Sequence, residues 1–93
     1  MPTERHRDKY PCRLREVREG KMLTREQLSS LTARIADVDP VLYRLVTYET
    51  LRNLEAGFVR PRLTTARTLA EVLGLPAEVI FPQGIDSGAR HHH

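Results

Sequence analysis

The sequence predicts an all-α fold, a compact bundle of about five short helices. Three observations predict it. Apolar residues recur at helical spacing in short runs, Leu14/Val17, Leu28/Leu31/Ile35, Leu51/Leu54 and Leu69/Val72/Leu73. Capping residues and breakers bound these runs, with Thr24 and Thr47 at starts and Gly20, Gly57 and Gly74 at ends. The 93 residues suffice for one core of packed helices and not for two. The expected organisation is a charged arm at residues 1–10, a helical domain at 11–82 and a loose tail at 83–93.

The arm holds Glu4, Arg5, Arg7, Asp8 and Lys9 with no apolar period, so it has nothing to pack with. Two readings stand for it, a frayed terminus or a basic arm reaching along a DNA backbone or into a minor groove. Pro11 to Glu19 reads as the first helix, with Pro11 in its opening turn and Gly20 ending it. Thr24 caps the second helix, and Gln27 three residues later completes a capping box. Ala36 to Pro40 breaks the period, and Val41 to Val46 is an apolar run too short to tell strand from helix. Asp39 before Pro40 can cap a helical turn in which Val41, Leu42, Leu45 and Val46 give two apolar faces, one more than a core needs.

Thr47 caps the next helix, which faces Leu51 and Leu54 inward and leaves Tyr48, Glu49, Arg52 and Asn53 on other faces. Thr50 stands where a capping box wants Glu or Gln. Gly57 supplies the left-handed end and Pro61 forbids an early restart. Thr64 or Thr65 caps a fourth helix that ends at Gly74. Pro76 opens a short fifth helix whose Val79, Ile80 and Phe81 close the bottom of the bundle, before Pro82 and Gly84 stop it.

Composition narrows the function classes. One cysteine, Cys12, excludes an intrachain disulfide framework, and with His6 the only histidine outside the closing His91 to His93, no metal site is expected. Gly88 to His93 reads as a purification-tag remnant and takes no part in the argument. Cys12 reads as a small apolar residue near the first helix. No nucleophile and base stand together and the carboxylates are scattered, so no enzyme and no cofactor are expected. No apolar run has the length of a signal segment or a membrane span, which predicts a cytoplasmic protein with no membrane partner. The formal charge is +3, one unit less without Arg90, and the basic residues are almost all arginine. That bias suits phosphates and guanine edges, and it equally follows from genomic base composition.

Leu14-Arg-Glu-Val-Arg18, Leu23-Thr-Arg-Glu-Gln-Leu28, Thr50-Leu51 with Leu54-Glu55 and Gly57, then Pro61, Leu69-Ala70 and Leu73-Gly74 follow one another along the chain in a set order and spacing on either side of one insertion. On these residues, about 13 to 81, the chain resembles the phage Cro and lambda-repressor-like helix-turn-helix family, the XRE family. The resemblance implies that Thr47 to Ala56 is a recognition helix entering the major groove of double-stranded DNA. Tyr48, Glu49, Arg52 and Asn53 are then the base-contact candidates: Asn53 for an adenine edge, Arg52 for guanine or phosphate, Glu49 for cytosine, Tyr48 for a thymine methyl or a sugar. Arg25, Thr47, Arg60 and Arg62 are the phosphate candidates. Arg25 stands where the family usually has Gln, and Ala56 replaces the usual Asn before the glycine. Glu55 and Arg18 match a structural ion pair between the third and first helices.

The chain departs from the family between the two motif helices, where an insertion lies at about 33–46. It reads either as a tolerated surface insertion or as a homodimer or partner-protein surface offering Val41, Leu42, Tyr43 and Leu45. The expected function is a sequence-specific DNA-binding transcriptional regulator, a repressor acting as a homodimer on an inverted repeat. The alternative is a protein-binding module on the same fold, an antitoxin or phage-type factor that uses Ile35 to Val46.

Overall fold

The computed structural model describes residues 9–86. It contains five helices in order, α1 (Leu14–Gly20), α2 (Arg25–Val38), α3 (Tyr48–Glu55), α4 (Leu63–Leu73) and α5 (Ala77–Ile80). Among the described residues the only β pairing is one isolated parallel bridge between Arg62 and Asp86. The helical class is therefore as the sequence predicts. The Arg5 and Arg7 part of the arm and residues 87–93 lie outside the described residues.

α2 packs on both α3 and α4, α1 on α3, and α5 on α4. Leu14, Leu28, Leu51, Leu54, Leu69, Leu73 and Ile80 meet in the centre, all buried, with Val46, Ala66 and Phe81. Each is the inward residue of its run, so burial of these side chains, worth roughly 1.5–3 kcal/mol each, is what selects this arrangement of short helices.

α2 begins where the sequence places it. The Thr24 hydroxyl accepts from the Gln27 amide at 3.0 Å, and the Gln27 side chain accepts from the Thr24 amide at 2.8 Å. α3 is bounded as expected too. Thr47 accepts from the Thr50 amide at 3.2 Å. At the other end Gly57 takes φ +79°, and the amides of Gly57 and Phe58 reach back to the carbonyls of Leu54 and Asn53.

Four boundaries differ from expectation. α1 starts at Leu14 and not at Pro11, because the preceding chain bonds elsewhere: the Tyr10 amide to the Gly57 carbonyl and the Arg13 amide to the Ile80 carbonyl. α1 ends at Gly20, where the sequence places its end; beyond it Met22 takes the left-handed conformation at φ 61°, and the Met22 and Leu23 amides close the turn on Glu19 and Arg18. α2 continues to Val38 through the expected break at Ala36, and the break falls at Asp39, which Pro40 keeps out of helical geometry. α4 is capped at Arg62 with no side-chain bond, so Thr64 and Thr65 sit inside its first turn. The tail begins later than residue 83, since the Asp86 amide donates to the Pro61 carbonyl at 2.7 Å and Ile85 packs on the core.

Residues 33–38 of the insertion belong to α2, and residues 39–46 are neither strand nor helix. Asp39 caps one turn, its carboxylate accepting from the Val41 and Leu42 amides, and the chain then runs to Thr47 without regular secondary structure. Two buried threonines fasten it. Thr32 accepts from the Val46 amide at 2.9 Å, and Thr68 accepts from the Arg44 amide at 2.9 Å. Arg67 adds a bond to the Leu42 carbonyl. Val46 turns into the core, whereas Val41, Leu42 and Leu45 are exposed, Val41 by 84%.

Candidate nucleic-acid interface

The outward side of α3 follows from its length. Eight residues make little more than two turns, so burying Leu51 and Leu54 leaves one row facing away. Tyr48, Glu49 and Arg52 are exposed and Asn53 is half-buried. Arg52 and Glu49, three residues apart, form a solvent-exposed pair at 3.1 Å. The pair holds its own members in reach of one another, and such exposed pairs are worth only about 0–1 kcal/mol. A competing partner of either sign can therefore separate them.

Behind this row lies a buried charge cluster. Arg18 of α1 grips the Glu55 carboxylate with two bonds, Nε to Oε2 at 2.6 Å and Nη2 to Oε1 at 3.1 Å. Its remaining arm donates to the Leu23 carbonyl at 2.7 Å. The Glu55 and Arg18 side chains are only 2% and 8% exposed, so the expected pair is present and lies out of solvent. Planar two-point contact is the geometry in which a buried pair recovers its desolvation cost.

Arg25 is the third member. Its Nε donates to Glu55 Oε1 at 3.1 Å and its Nη1 to the Tyr48 hydroxyl at 3.3 Å, while the guanidinium lies over the Tyr48 ring with its carbon 5.6 Å from the centroid. The Tyr48 hydroxyl it donates to, with Glu55 adding to the effect, holds Arg25 above its ordinary pKa. Arg25, a phosphate candidate from the sequence, is thus bonded to two residues of α3.

The other phosphate candidates are Thr47, Arg60 and Arg62. Thr47 is exposed and occupied in capping. Arg62 is exposed at the start of α4. Arg60 lies over the Tyr10 ring, 5.0 Å from its centroid, a contact absent from the sequence reading. Tyr10 itself is fastened to Gly57, so the chain leaving residue 9 toward the arm starts beside the end of α3. Phe58 and Val59 are exposed next to these cations.

Cys12 packs against the core and its thiol donates to the Leu54 carbonyl at 3.3 Å. Burial pushes the thiol pKa up; the Leu14 amide lowers it and the Glu55 charge raises it further. Among the described residues no cluster of His, Cys, Asp and Glu can hold a metal ion, and no helix is long and apolar enough to cross a membrane.

Thr32, Thr68, Tyr10 and the Arg25–Tyr48 contact are what sequence reasoning missed. The first two are polar residues inside helices, where a hydroxyl ordinarily bonds its own preceding turn, and both also do so here. No local signal marks their second partners. Comparison with known proteins finds no matching family model, no matching curated protein and no matching solved structure.

Proposed function

We propose that the chain is a sequence-specific double-stranded DNA-binding regulator of transcription, a cytoplasmic repressor of the lambda-repressor-like helix-turn-helix class, acting as a homodimer with α3 in the major groove. The observation that carries this reading is the placement of α3. It is short, capped at Thr47, anchored from behind to α1 and α2 through Glu55, and presents Tyr48, Glu49, Arg52 and Asn53 as a polar row. Arg52 and Asn53 have the donor and acceptor geometry for guanine and adenine edges. Arg25, Thr47, Arg60 and Arg62 are the backbone contacts of this reading, and Arg60 lies over the Tyr10 ring.

Selection of bound sequences from a random DNA pool tests the reading. A defined motif is expected, and Arg52→Ala or Asn53→Ala should cost about 1–3 kcal/mol at one base position each. Equal loss on every sequence would sink the assignment of these two residues.

A second reading is favoured by a separate observation. The insertion is held rigidly by Thr32, Thr68 and Arg67 while Val38, Val41, Leu42 and Leu45 stay exposed. A fixed apolar surface suits a protein partner, either a second copy or an unlike chain. Sedimentation of Leu42→Glu with Leu45→Glu decides its use: an unchanged mass at high concentration removes it from a homodimer. Absence of any DNA binding at low salt, with a stable unlike partner seated on Val41 to Leu45, would make the chain a protein-binding module.

A further inference from the structure

We infer that Asp86 competes with DNA phosphates for Arg60 and Arg62, so that the segment after α5 sets how tightly the chain holds DNA. The inference rests on the DNA-binding reading above, in which these two arginines are backbone contacts.

The path of the chain explains why a carboxylate stands there. After α5 the Gly84 amide closes a turn on the Phe81 carbonyl at 3.0 Å, and Gly84 takes φ +88°, a conformation that a side chain disfavours. The turn brings the chain back to the bundle, where Ile85 packs on the core. The Asp86 amide then donates to the Pro61 carbonyl at 2.7 Å, within the parallel bridge to Arg62. Side chains of successive residues in β pairing point to opposite sides. With Ile85 turned inward, the Asp86 carboxylate belongs to the outer side.

That outer side is where the cations are. Asp86 lines one hollow with Arg60, Arg62, Thr50 and Thr65, and a second with Lys9, Tyr10 and Arg60. Thr50 is a residue of α3, so the first hollow reaches the helix assigned to the groove. A carboxylate offers a guanidinium the same two-point acceptor chemistry as a phosphate. Because the backbone holds it in place, it meets the arginines at every encounter with DNA. A phosphate arriving at Arg60 or Arg62 must displace it or bind against its charge. Like charges some 7 Å apart at a protein surface shift a binding equilibrium roughly 3- to 10-fold. The effect falls on the sugar-phosphate backbone and carries no sequence information.

The test measures affinity for the selected site and for a scrambled duplex, at low and at high salt, with wild type, Asp86→Asn, Asp86→Ser, Asp86→Glu and Glu78→Gln. The Asn and Ser variants keep the main-chain bond to Pro61. Glu78→Gln removes the same charge from an exposed position on α5, away from both hollows. At low salt Asp86→Asn and Asp86→Ser are expected to bind both duplexes about 3- to 10-fold more tightly. The gain should shrink as salt screens it, with the preference for the selected site unchanged. Asp86→Glu should match wild type, and Glu78→Gln should gain less than about 2-fold. In a background of Arg60→Gln with Arg62→Gln, adding Asp86→Asn should bring less than about 2-fold.

Unchanged or weaker binding by both neutral Asp86 variants would overturn the inference. So would an equal gain from Glu78→Gln, which would assign the effect to net charge, or a full gain in the background lacking both arginines. If wild type binds neither duplex at low salt, the DNA-binding reading fails and this inference with it. A wild type that prefers its site, with no gain on neutralising Asp86, removes the competition alone.

Discussion

At the scale of single residues, Cys12 links packing to pH. Its thiol is pushed up chiefly by burial, so the folded state keeps the proton at pH values where the unfolded chain, at about 8.5, has begun to lose it. The folded state then holds more protons than the unfolded chain, so stability is unaffected below the unfolded value and declines as pH rises from there through the folded one. Wild type should lose urea resistance between pH 8 and pH 10 more steeply than Cys12→Ala, and the native thiol should react with a maleimide far more slowly than a peptide thiol at pH 8. Parallel pH curves for the two proteins would refute this. Met22 teaches a different lesson. Its φ of 61° comes from the turn that brings Leu23 back to Arg18, and nothing in a methionine side chain announces a left-handed position that glycine ordinarily fills.

At the scale of elements, the insertion is a fastened strap. In Thr32→Val the buried Val46 amide loses its acceptor, which should cost about 1–3 kcal/mol and speed hydrogen exchange at Val46. Exchange at Val46 unchanged from wild type would show that Thr32 does not hold it. The same geometry explains what was legible in the sequence. α2 and α3 begin where they were expected because their caps are local, a hydroxyl three residues from the amide it accepts from. The start of α4 was misplaced because Arg62 caps it with no side-chain bond. The insertion could not be assigned, since the hydroxyls that fix it lie 14 and 24 residues away in sequence. Its surplus of apolar side chains was legible, because Val41, Leu42 and Leu45 exceed what one turn can bury.

At the scale of the whole molecule, Glu55 ties α1, α2 and α3 together through Arg18 and Arg25. Glu55→Gln leaves a nearly buried Arg18 with only the half-exposed Glu19 carboxylate, 3.8 Å away, as counter-charge, and breaking such a buried pair costs about 3–5 kcal/mol, a large share of the roughly 5–15 kcal/mol that holds a domain folded. A sharp fall in the urea midpoint is expected; a loss under about 1 kcal/mol would class the pair with surface contacts. The Arg18 and Glu55 partnership was legible only as a family resemblance, for 37 residues separate the two and no periodicity connects them. Arg25 joining them was not legible at all. One further feature concerns how the chain closes. The Tyr10 amide is bonded to Gly57 and the Asp86 amide to Pro61, and Lys9, Tyr10 and Asp86 line one small hollow with Phe58, Val59 and Arg60. Both ends of the described segment thus converge on the same connection between α3 and α4. Polypeptide fused before residue 9 or after residue 86 departs from one spot, and a short linker can join the two ends into a ring. New termini can then be cut at another loop without dissolving any helix, which makes the unit a natural subject for circular permutation.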